Sequence, residues 1–447
     1  MAAPDDPAPS RPLRVGLLGL GTVGAAVARL LRDNRELYAQ RAGRPIDVGP
    51  VVVRDVARAR GRGVVDPALV SDDPATLDAA GVDVLVEVAG GKDAAKAAIA
   101  DALRAGRHVV TANKALLASD GPELFALARE HGAAVAFEAS CVAGVPIVAG
   151  LVQGLMSNRF RRLDGILNGT CNFIGTAMER DGRSYAEALA EAKRLGYAEA
   201  DETLDVSGAD AASKLAILAS LAFGVAVRDR DVPMAGIDAL DAMDTRFAAS
   251  MGFGIKLIAS AIRGPGGSLH LSASPCLVAD DHPLHAVTGS TNALCVEADP
   301  VGRVVLQGPG AGGGETAAGV VSDLLGVATG SYPSLFAASG LWPDRRAAAE
   351  PAAPGQLPGR FYLRVRVADE PGVVGRLASA LGAEGISLSA FHQQEAVPGA
   401  DGVPVVLLTH HTTRERVDAG CRAFGGDAAL RGEPVVMRVL GREEAAG

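Results

Sequence analysis

Short apolar segments alternate with helical patterns through residues 13–140, and this alternation limits the possible fold more than any other feature of the sequence. Apolar runs of this kind are typical of strands that are buried on both faces. Buried strands separated by helices predict a parallel, doubly wound α/β sheet over residues 13–140. The acidic, Pro-rich residues 1–12 are expected to form a disordered tail.

The first apolar segment ends in a glycine pattern that is typical of dinucleotide binding. Gly19, Gly21 and Gly24 occupy the positions of GxGxxG, between a predicted strand and a predicted helix. Glycines at these positions let the backbone approach a pyrophosphate, whose negative charge the helix N-terminus favours. The pattern predicts a Rossmann-type domain that binds a nicotinamide cofactor. A tight strand–helix turn without a ligand is the alternative.

The end of the second apolar segment bears on the choice of cofactor. An Asp or Glu there binds the adenosine ribose hydroxyls, whereas an arginine can pair with a 2′-phosphate. Arg54 follows this segment and favours NADP, and the adjacent Asp55 leaves NAD open. The alternative for Arg54 is a solvated loop arginine.

From residue 141 to about 330 the sequence predicts an α+β domain. Strand-like segments are expected at 163–174 and within 250–310, and helices at 184–196 and 208–224. A glycine-rich turn then leads into a further helix, and residues 305–330 are expected to return to the cofactor domain.

One predicted helix of this region carries a charged pair on an otherwise apolar face. Asp210 and Lys214 are four residues apart, and the same helical face continues through Ile217 and Leu221. A partly buried lysine of this kind suits a proton donor to a carbonyl oxygen. The alternative is an ordinary surface pair, worth only about 0.3–0.5 kcal/mol.

Two other groups of polar residues are candidates for chemistry. Lys114 follows a predicted parallel strand at the sheet edge where ligands bind in α/β folds, or it is a solvated lysine at a helix start. The loop 197–205 carries four carboxylates in nine residues. It is either a solvated turn or a site for an ammonium group or a hard cation.

The C-terminal part contains a linker and a third domain. Residues 342–359 are rich in Ala and Pro and are expected to form a linker. Residues 360–441 show the order βαββαβ, which predicts a ferredoxin-like domain.

Composition excludes several classes of protein. The net charge of −9 and the pI near 5.5 argue against a nucleic-acid binder. No apolar run reaches the roughly 20 residues of a membrane span, and the N-terminus resembles neither a signal nor a transit peptide. The five cysteines show no CxxC pairing, which argues against a disulfide framework. A cytoplasmic location is expected.

Several segments together resemble the homoserine dehydrogenase family. They occur in the family's order and are GLGTVG (19–24), TANKALL (111–117), EASCVAGVPIV (138–148), LNGTCNFI (167–174) and LGYAEADETLDVSGADAASKLAILA (195–219). In addition, DEPGVVGRLASALGAEGIS (369–387) resembles an ACT domain, a small module that senses amino acids. The resemblance implies NAD(P)-dependent interconversion of L-homoserine and L-aspartate 4-semialdehyde, a step in the biosynthesis of threonine, methionine and isoleucine.

The resemblance also implies roles for substrate residues. Lys214 matches the family's proton donor, and Asp210 matches its partner near the substrate hydroxyl. Glu199 matches the carboxylate that binds the amino group of homoserine, with Asp205 nearby. Lys114 matches the lysine that touches both cofactor and substrate.

The resemblance also implies residues that bind the cofactor. Thr22 and Val23 match positions of the family's cofactor-binding loop, and Gly312 matches a glycine late in the sequence that lies at the cofactor. A monovalent cation site, expected to take Na⁺, is implied at Glu138, Cys141, Ala143 and Val145. Cys141 and Ala143 stand where the family usually has Val and Gly, a change that backbone ligands tolerate.

For regulation, the turn 369–372 lies where pairs of ACT domains hold an amino acid, so threonine is the expected effector. An assembly domain without a ligand is the alternative. Pairing of sheet edges predicts a homodimer or homotetramer. Two other functions stay open: a Rossmann reductase for a related amino-acid semialdehyde, and a non-enzymatic amino-acid sensor.

Overall fold

The structure, a computed structural model, describes residues 11–79, 81–198, 201–349, 352, 355–393 and 401–441. The chain divides into two compact units. The first unit comprises Met1–Arg159, Ser213–Asp229 and Leu306–Ala349, and the second comprises Phe160–Ala212, Arg230–Val305 and Glu350–Gly447. Most of the expected tail, residues 1–10, lies outside the described residues.

Strands and helices alternate through the N-terminal part of the first unit. The strands are β1 (Leu13–Leu18), β2 (Ile46–Val52), β3 (Val70–Ser71), β4 (Val84–Glu87), β5 (His108–Thr111) and β6 (Val135–Ala136). The helices are α1 (Thr22–Asp33), α2 (Arg35–Ala42), α3 (Val56–Arg60), α4 (Thr76–Ala79), α5 (Asp93–Arg104), α6 (Lys114–Glu130), α7 (Ala139–Val142) and α8 (Ile147–Ala149).

These strands form one parallel sheet in the order β3-β2-β1-β4-β5-β6. The predicted doubly wound sheet is therefore confirmed. The chain direction across the sheet reverses between β1 and β4, and ligands of such sheets bind in the crevice beyond the strand ends at this reversal.

The middle of the chain supplies a second set of elements. The strands are β7 (Arg159–Ile166), β8 (Phe253–Arg263), β9 (Leu269–Ala279), β10 (Thr291–Asp299) and β11 (Gly302–Pro309). The helices are α9 (Gly169–Asp181), α10 (Tyr185–Leu195), α11 (Thr203–Val206), α12 (Ala209–Phe223), α13 (Ala242–Ser250), α14 (Gly313–Ala328) and α15 (Ser331–Ala338).

The C-terminal elements confirm the predicted βαββαβ order. They are β12 (Pro358–Val367), α16 (Val373–Ala383), β13 (Leu388–Gln393), β14 (Val403–Thr409), β15 (Thr412–Thr413), α17 (Arg414–Gly425) and β16 (Val435–Leu440). Apolar residues of both helices pack on the strands around Leu363, Leu377 and Val405, which are almost fully buried.

The C-terminal strands continue the sheet of the middle region. The strand order is β11-β10-β7-β8-β9-β16-β12-β14-β13, and β16 pairs in parallel with β9. Leu440 of β16 packs with Ile258 and Val278 in one buried cluster. This pairing is not visible in the sequence, because it joins strands from segments that were expected to form separate domains.

Two buried carboxylates stabilise the second unit. Asp164 forms an ion pair with Arg162 and accepts a hydrogen bond of 2.6 Å from the Ser260 hydroxyl. Burial alone would raise the pKa of Asp164, but these two neighbours hold it below its usual range. Asp244 of α13 accepts hydrogen bonds of 2.7 Å from Tyr362 and from Arg364 of β12. The C-terminal strands are thereby bonded to a helix of the middle region.

The expected linker at residues 342–359 is wrong in its first half. Trp342 is completely buried in the first unit, where it packs against Phe125, Phe137 and Phe336 and donates a hydrogen bond to the Phe336 carbonyl. An ion pair between Asp344 and Arg129 also holds this segment in the first unit. The Ala/Pro-rich composition of the segment gave no indication that the Trp342 side chain is buried. Residues 350, 351, 353 and 354 lie outside the described residues.

Residues 163–174 also differ from the expected strand. β7 ends at Ile166, and Gly169 begins α9, so that only the first part is extended. The side chain of Asn168 caps this helix by accepting a hydrogen bond of 2.8 Å from the backbone N–H of Cys171. The apolar segment 133–141 was expected to form the last strand of the N-terminal domain, but β6 has only two residues and α7 follows.

Candidate active site

A cavity of about 690 Å³ opens at the carboxyl ends of β1, β2 and β4. The turn after β1 lines it with Gly19, Gly21 and Thr22, and the loop after β4 lines it with residues 88–91. The cavity therefore lies at the reversal of strand order, where a doubly wound sheet binds its ligand.

The three glycines of the turn have different surroundings. A Cβ on Gly19, whose φ is +102°, would lie 2.8 Å from the backbone of Ala89. A Cβ on Gly24 would lie 2.2 Å from the Gly19 carbonyl oxygen, so the close packing of α1 on the turn requires glycine. Gly21 faces open space, and α1 carries no side-chain cap within the described part of the chain. The open N-terminus of α1 fits a pyrophosphate.

Three arginines line the far side of this cavity: Arg54, Arg58 and Arg62. None of their guanidinium groups has a carboxylate within 4.0 Å among the described residues. Asp55 also lines the cavity, but one of its oxygens accepts a hydrogen bond of 2.9 Å from the Arg58 backbone N–H and caps α3. The sequence pointed to Arg54 alone.

A late glycine-rich segment lies beside the turn. Gly312 precedes α14 with a φ of +127°, and a Cβ on Gly313 would lie 2.7 Å from the Thr22 side chain. Helix α14 packs against α1, which carries Thr22 and Val23 at its start. The segment thus returns to the neighbourhood of the turn within the first unit.

Two lysines lie near one buried thiol in the first unit. Burial raises the pKa of Cys141 to about 12, while the charges of Lys214 and Lys114 act to lower it. Lys114 is the first residue of α6, and Lys214 is 7% exposed on α12. Both predicted lysines therefore lie close to Cys141.

The carboxylate of Glu138 is buried beside the same thiol. Its two oxygens accept hydrogen bonds of 2.8 and 2.7 Å from the backbone N–H groups of Val148 and Ala149. Burial raises the pKa of Glu138, although these N–H groups act to lower it. Ala143 has a φ of +44°, the one positive φ at a non-glycine position of the described chain.

These features bear on the expected cation site at Glu138, Cys141, Ala143 and Val145. Glu138 brings one buried carboxylate to the expected site, and each of its oxygens keeps a lone pair after its hydrogen bond. No group of three or more His, Cys, Asp or Glu that could hold a metal ion occurs among the described residues. A cation at this position would therefore need backbone carbonyls for its other ligands.

In the second unit, one amide joins two carboxylates. The Nδ2 atom of Asn168 donates hydrogen bonds of 2.9 Å to Asp205 Oδ1 and of 2.9 Å to Asp210 Oδ2. Asp210 is 8% exposed and lies one helical turn before Lys214 on α12. Sequence reasoning missed Asn168, although an Asn that follows an apolar strand and precedes a Gly is a recognisable N-cap signal.

The acidic loop separates into residues with different partners. Glu202 forms an ion pair of 2.6 Å with Lys193, and Asp201 bonds to Thr203, so both stabilise the loop itself. Asp205 instead faces Asn168. Glu199 lies outside the described residues.

Comparison with known proteins decides the family. Three family models match the chain: "Homoserine dehydrogenase, NAD binding domain" at residues 19–138, "Homoserine dehydrogenase" at 146–325 and "ACT domain" at 361–419. A homoserine dehydrogenase of Bacillus subtilis (strain 168) is 39% identical over 401 residues, which cover 90% of this chain and 92% of that relative. The chain belongs to the homoserine dehydrogenase family. It is therefore an oxidoreductase of amino-acid biosynthesis.

Solved homoserine dehydrogenases share the fold. The crystal structure from Thiobacillus denitrificans is similar with a TM-score of 0.89 and 36% identity, and the match covers 96% of this chain and 98% of that chain. A hyperthermophilic archaeal homoserine dehydrogenase mutant in complex with NADPH is similar with a TM-score of 0.60 and 28% identity over 71% of this chain and 97% of that chain. The fold predicted from sequence, including the ACT domain, is confirmed.

Proposed function

We propose that Lys214 is the proton donor in the interconversion of L-aspartate 4-semialdehyde and L-homoserine. The observation that carries this role is helix α12, which presents a lysine that is 7% exposed one turn after the buried Asp210. During reduction the Lys214 ammonium group gives its proton to the aldehyde oxygen as negative charge develops there. The nicotinamide cofactor supplies the hydride for this reduction when it is bound.

The remaining substrate roles are assigned to carboxylates and to the second lysine. Asp205 and Asp210, whose oxygens are oriented by Asn168, bind the polar groups of the substrate. Glu199 binds the substrate ammonium group, a role that rests on the resemblance to the family. Lys114 stabilises the developing charge together with Lys214, a role that rests on the resemblance to the family. Positioning of this kind lowers a reaction barrier by several kcal/mol.

The decisive assay measures turnover of L-aspartate 4-semialdehyde by Lys214→Met, with Lys96→Met as the matched control. Lys96 is partly exposed and pairs with Asp120 and Glu123, so its loss should leave kcat within about twofold. Loss of the proton donor should lower kcat by about 10²–10⁴-fold. A folded Lys214→Met enzyme with wild-type kcat would show that another group donates the proton.

The cofactor is proposed to be NADP rather than NAD. Arg54, Arg58 and Arg62 line the cavity, and an arginine–phosphate pair is a strong, charge-assisted interaction. Arg54→Ala should lower kcat/KM with NADPH by about 10–100-fold and leave the value with NADH unchanged. Arg32→Ala, which removes an exposed arginine paired with Asp33, is the control. Equal losses with both cofactors would refute 2′-phosphate recognition.

A monovalent cation, Na⁺, is proposed to bind Glu138 together with the carbonyls of Cys141, Ala143 and Val145. The buried carboxylate and the unusual backbone at Ala143 support this site. Binding to the folded state alone raises the unfolding temperature as Na⁺ is added at constant ionic strength with tetramethylammonium. Glu138→Gln should abolish that rise, and a rise of equal size in the variant would exclude the site.

The ACT domain is proposed to bind threonine as a feedback effector. The turn 369–372 is exposed and leads into α16, whose first residues follow Gly372 at a φ of +87°. Asp369 is tied to Gln393 of β13 by a hydrogen bond of 3.4 Å, so the turn and the edge strand are adjacent. Threonine should inhibit the wild-type enzyme, and Gly372→Val should weaken the inhibition while basal turnover persists. Inhibition that survives unchanged in the variant would move the effector elsewhere.

We also propose that the protein is a homo-oligomer and that it is cytoplasmic. Within the described chain β11 and β13 are the outer strands of the large sheet, which supports a homodimer or homotetramer. Light scattering would test this, and a monomeric mass would contradict it. All five cysteines are free thiols, which supports a cytoplasmic location. Among the described residues no helix combines the length and apolar character needed to cross a bilayer.

A further inference from the structure

Glu87 is a buried carboxylate that has no role in the proposed reaction or in the proposed cation site. It is the last residue of β4 and is 0% exposed. No lysine, arginine or histidine lies within 4.0 Å of it among the described residues. A buried charge without an ion pair requires hydrogen-bond donors, so the donors that surround Glu87 indicate what it holds in place.

One carboxylate oxygen holds the loop beside the cofactor cavity. Glu87 Oε1 accepts hydrogen bonds of 3.0 Å from the backbone N–H of Ala89 and of 3.1 Å from that of Gly90. Both residues line the cavity, and the backbone of Ala89 is the surface against which Gly19 packs. This oxygen therefore fixes the part of the cavity wall against which the glycine turn packs.

The other oxygen holds the start of α6. Glu87 Oε2 accepts a hydrogen bond of 2.8 Å from the Thr111 hydroxyl, which in turn accepts one of 3.0 Å from the backbone N–H of Asn113. Asn113 caps α6 through the N–H of Leu116. Lys114 is the next residue, so this chain of bonds sets the backbone from which it extends.

The two loops are also joined to each other. The Nδ2 atom of Asn113 donates a hydrogen bond of 2.7 Å to the carbonyl of Gly91, the last residue of the cavity loop. The bonds from Glu87 to Ala89, from Glu87 to Thr111 and from Asn113 to Gly91 thus form a closed ring around the ends of β4 and β5.

We propose that Glu87 is a positioning residue that couples the cofactor loop, residues 88–91, to Lys114. The inference rests on the proposed role of Lys114 and adds the group that orients it. An ionised carboxylate accepts at both oxygens at once, which a glutamine cannot do, because its amide nitrogen only donates. The negative charge also strengthens the hydroxyl of Thr111 as an acceptor for Asn113.

The test separates the two oxygens by substitution. Thr111→Val removes the bond to Oε2 and should lower kcat by about tenfold, while the Kd for NADPH, measured by fluorescence titration, stays within about twofold. Glu87→Met, which lacks both acceptor oxygens, should lower kcat similarly and in addition raise the Kd for NADPH about fivefold or more. Thr111→Ser retains the hydroxyl and should recover most of the wild-type kcat.

A matched control distinguishes positioning from loss of stability. Thr409 is a fully buried threonine of the ACT domain that accepts a hydrogen bond of 2.9 Å from the backbone N–H of Phe361. Thr409→Val should lower the unfolding temperature as Thr111→Val does, but leave basal kcat unchanged. If both variants lower kcat in proportion to stability, or if Thr111→Ser fails to recover activity, the proposal is wrong.

A further experiment distinguishes an error in the proposed role of Lys114 from an error in the proposed coupling between Glu87 and Lys114. Lys114→Met should lower kcat more than Thr111→Val, and the double variant should lose little beyond Lys114→Met alone, because both act through one group. Wild-type kcat in Lys114→Met would overturn the Lys114 role and with it the coupling. Additive losses in the double variant would overturn the coupling alone.

Discussion

Removing the amide of Asn168 should weaken substrate use without disturbing the cofactor. We choose Asn168→Ser because a serine hydroxyl can still accept the hydrogen bond from the Cys171 N–H and keep the cap of α9. What the substitution removes is the nitrogen that donates to both Asp205 and Asp210. The perturbation is therefore confined to the orientation of two carboxylates.

The magnitude follows from the two hydrogen bonds that the variant loses. Each carboxylate oxygen lies 2.9 Å from the same nitrogen. A hydrogen bond to a charged acceptor contributes about 1.5–3 kcal/mol. Water admitted at the half-buried Asp205 recovers part of this energy. A net loss of about 2–3 kcal/mol corresponds to a decrease of about 30- to 150-fold in kcat/KM for homoserine.

The assay compares kcat/KM for homoserine with the Kd for NADPH and the free energy of unfolding. Asn172→Ser is the control on the same helix, because Asn172 is as deeply buried but donates to the carbonyls of Val287 and Thr291 instead of to carboxylates. The control should lose stability and keep kcat/KM. A value within twofold of wild type for Asn168→Ser, in a folded enzyme, would refute the role of the amide.

Three further predictions concern stability, each measured by denaturant unfolding. Asp164→Asn should destabilise the protein by about 3–5 kcal/mol at pH 7, because it removes the charge partner of a buried arginine. Since the pKa of Asp164 is lowered in the folded state, its contribution to stability is present above the usual Asp range and is lost as the pH falls through the folded pKa. The stability of the variant should therefore depend less on acid pH than that of the wild type, and equal dependence would contradict this. Tyr362→Phe should cost about 1.5–3 kcal/mol through its lost bond to Asp244, and a cost below 0.5 kcal/mol, roughly the range of surface substitutions, would show that this bond contributes little. Trp342→Ala should cost about 3–5 kcal/mol, whereas a residue in a true linker would cost almost nothing.

Local patterns predicted most of the fold. The alternation of apolar segments and helices predicted β1, β2, β4 and β5 and the helices α1, α5 and α6, because burial on both faces leaves a continuous apolar run in each strand. It missed the two-residue β3, which lies in a segment that was expected to be a polar loop. The same periodicity placed Asp210 and Lys214 on one face of α12. Features of this kind depend on neighbours within one or two turns of the chain.

Features that depend on distant partners were missed. The bond network of Glu87 joins residues 24 positions apart, and a buried glutamate in an apolar run shows nothing of its donors. The pairing of β16 with β9 joins segments that each form a sheet pattern of their own. The burial of Trp342 was not predicted, because the average composition of its Ala/Pro-rich segment hardly depends on one aromatic residue. In each case the tertiary environment, and not the local pattern, decides the outcome.

The parallel pairing of β16 with β9 has a consequence for biosynthesis of the chain. Until residues 435–440 have left the ribosome, residues 276–278 of β9 lack the strand with which they pair in the folded chain. Pairing across such a long stretch of sequence is slow, and open edges of this kind recruit other nascent chains. We therefore expect a chain that ends before Val435 to aggregate more readily than the full chain.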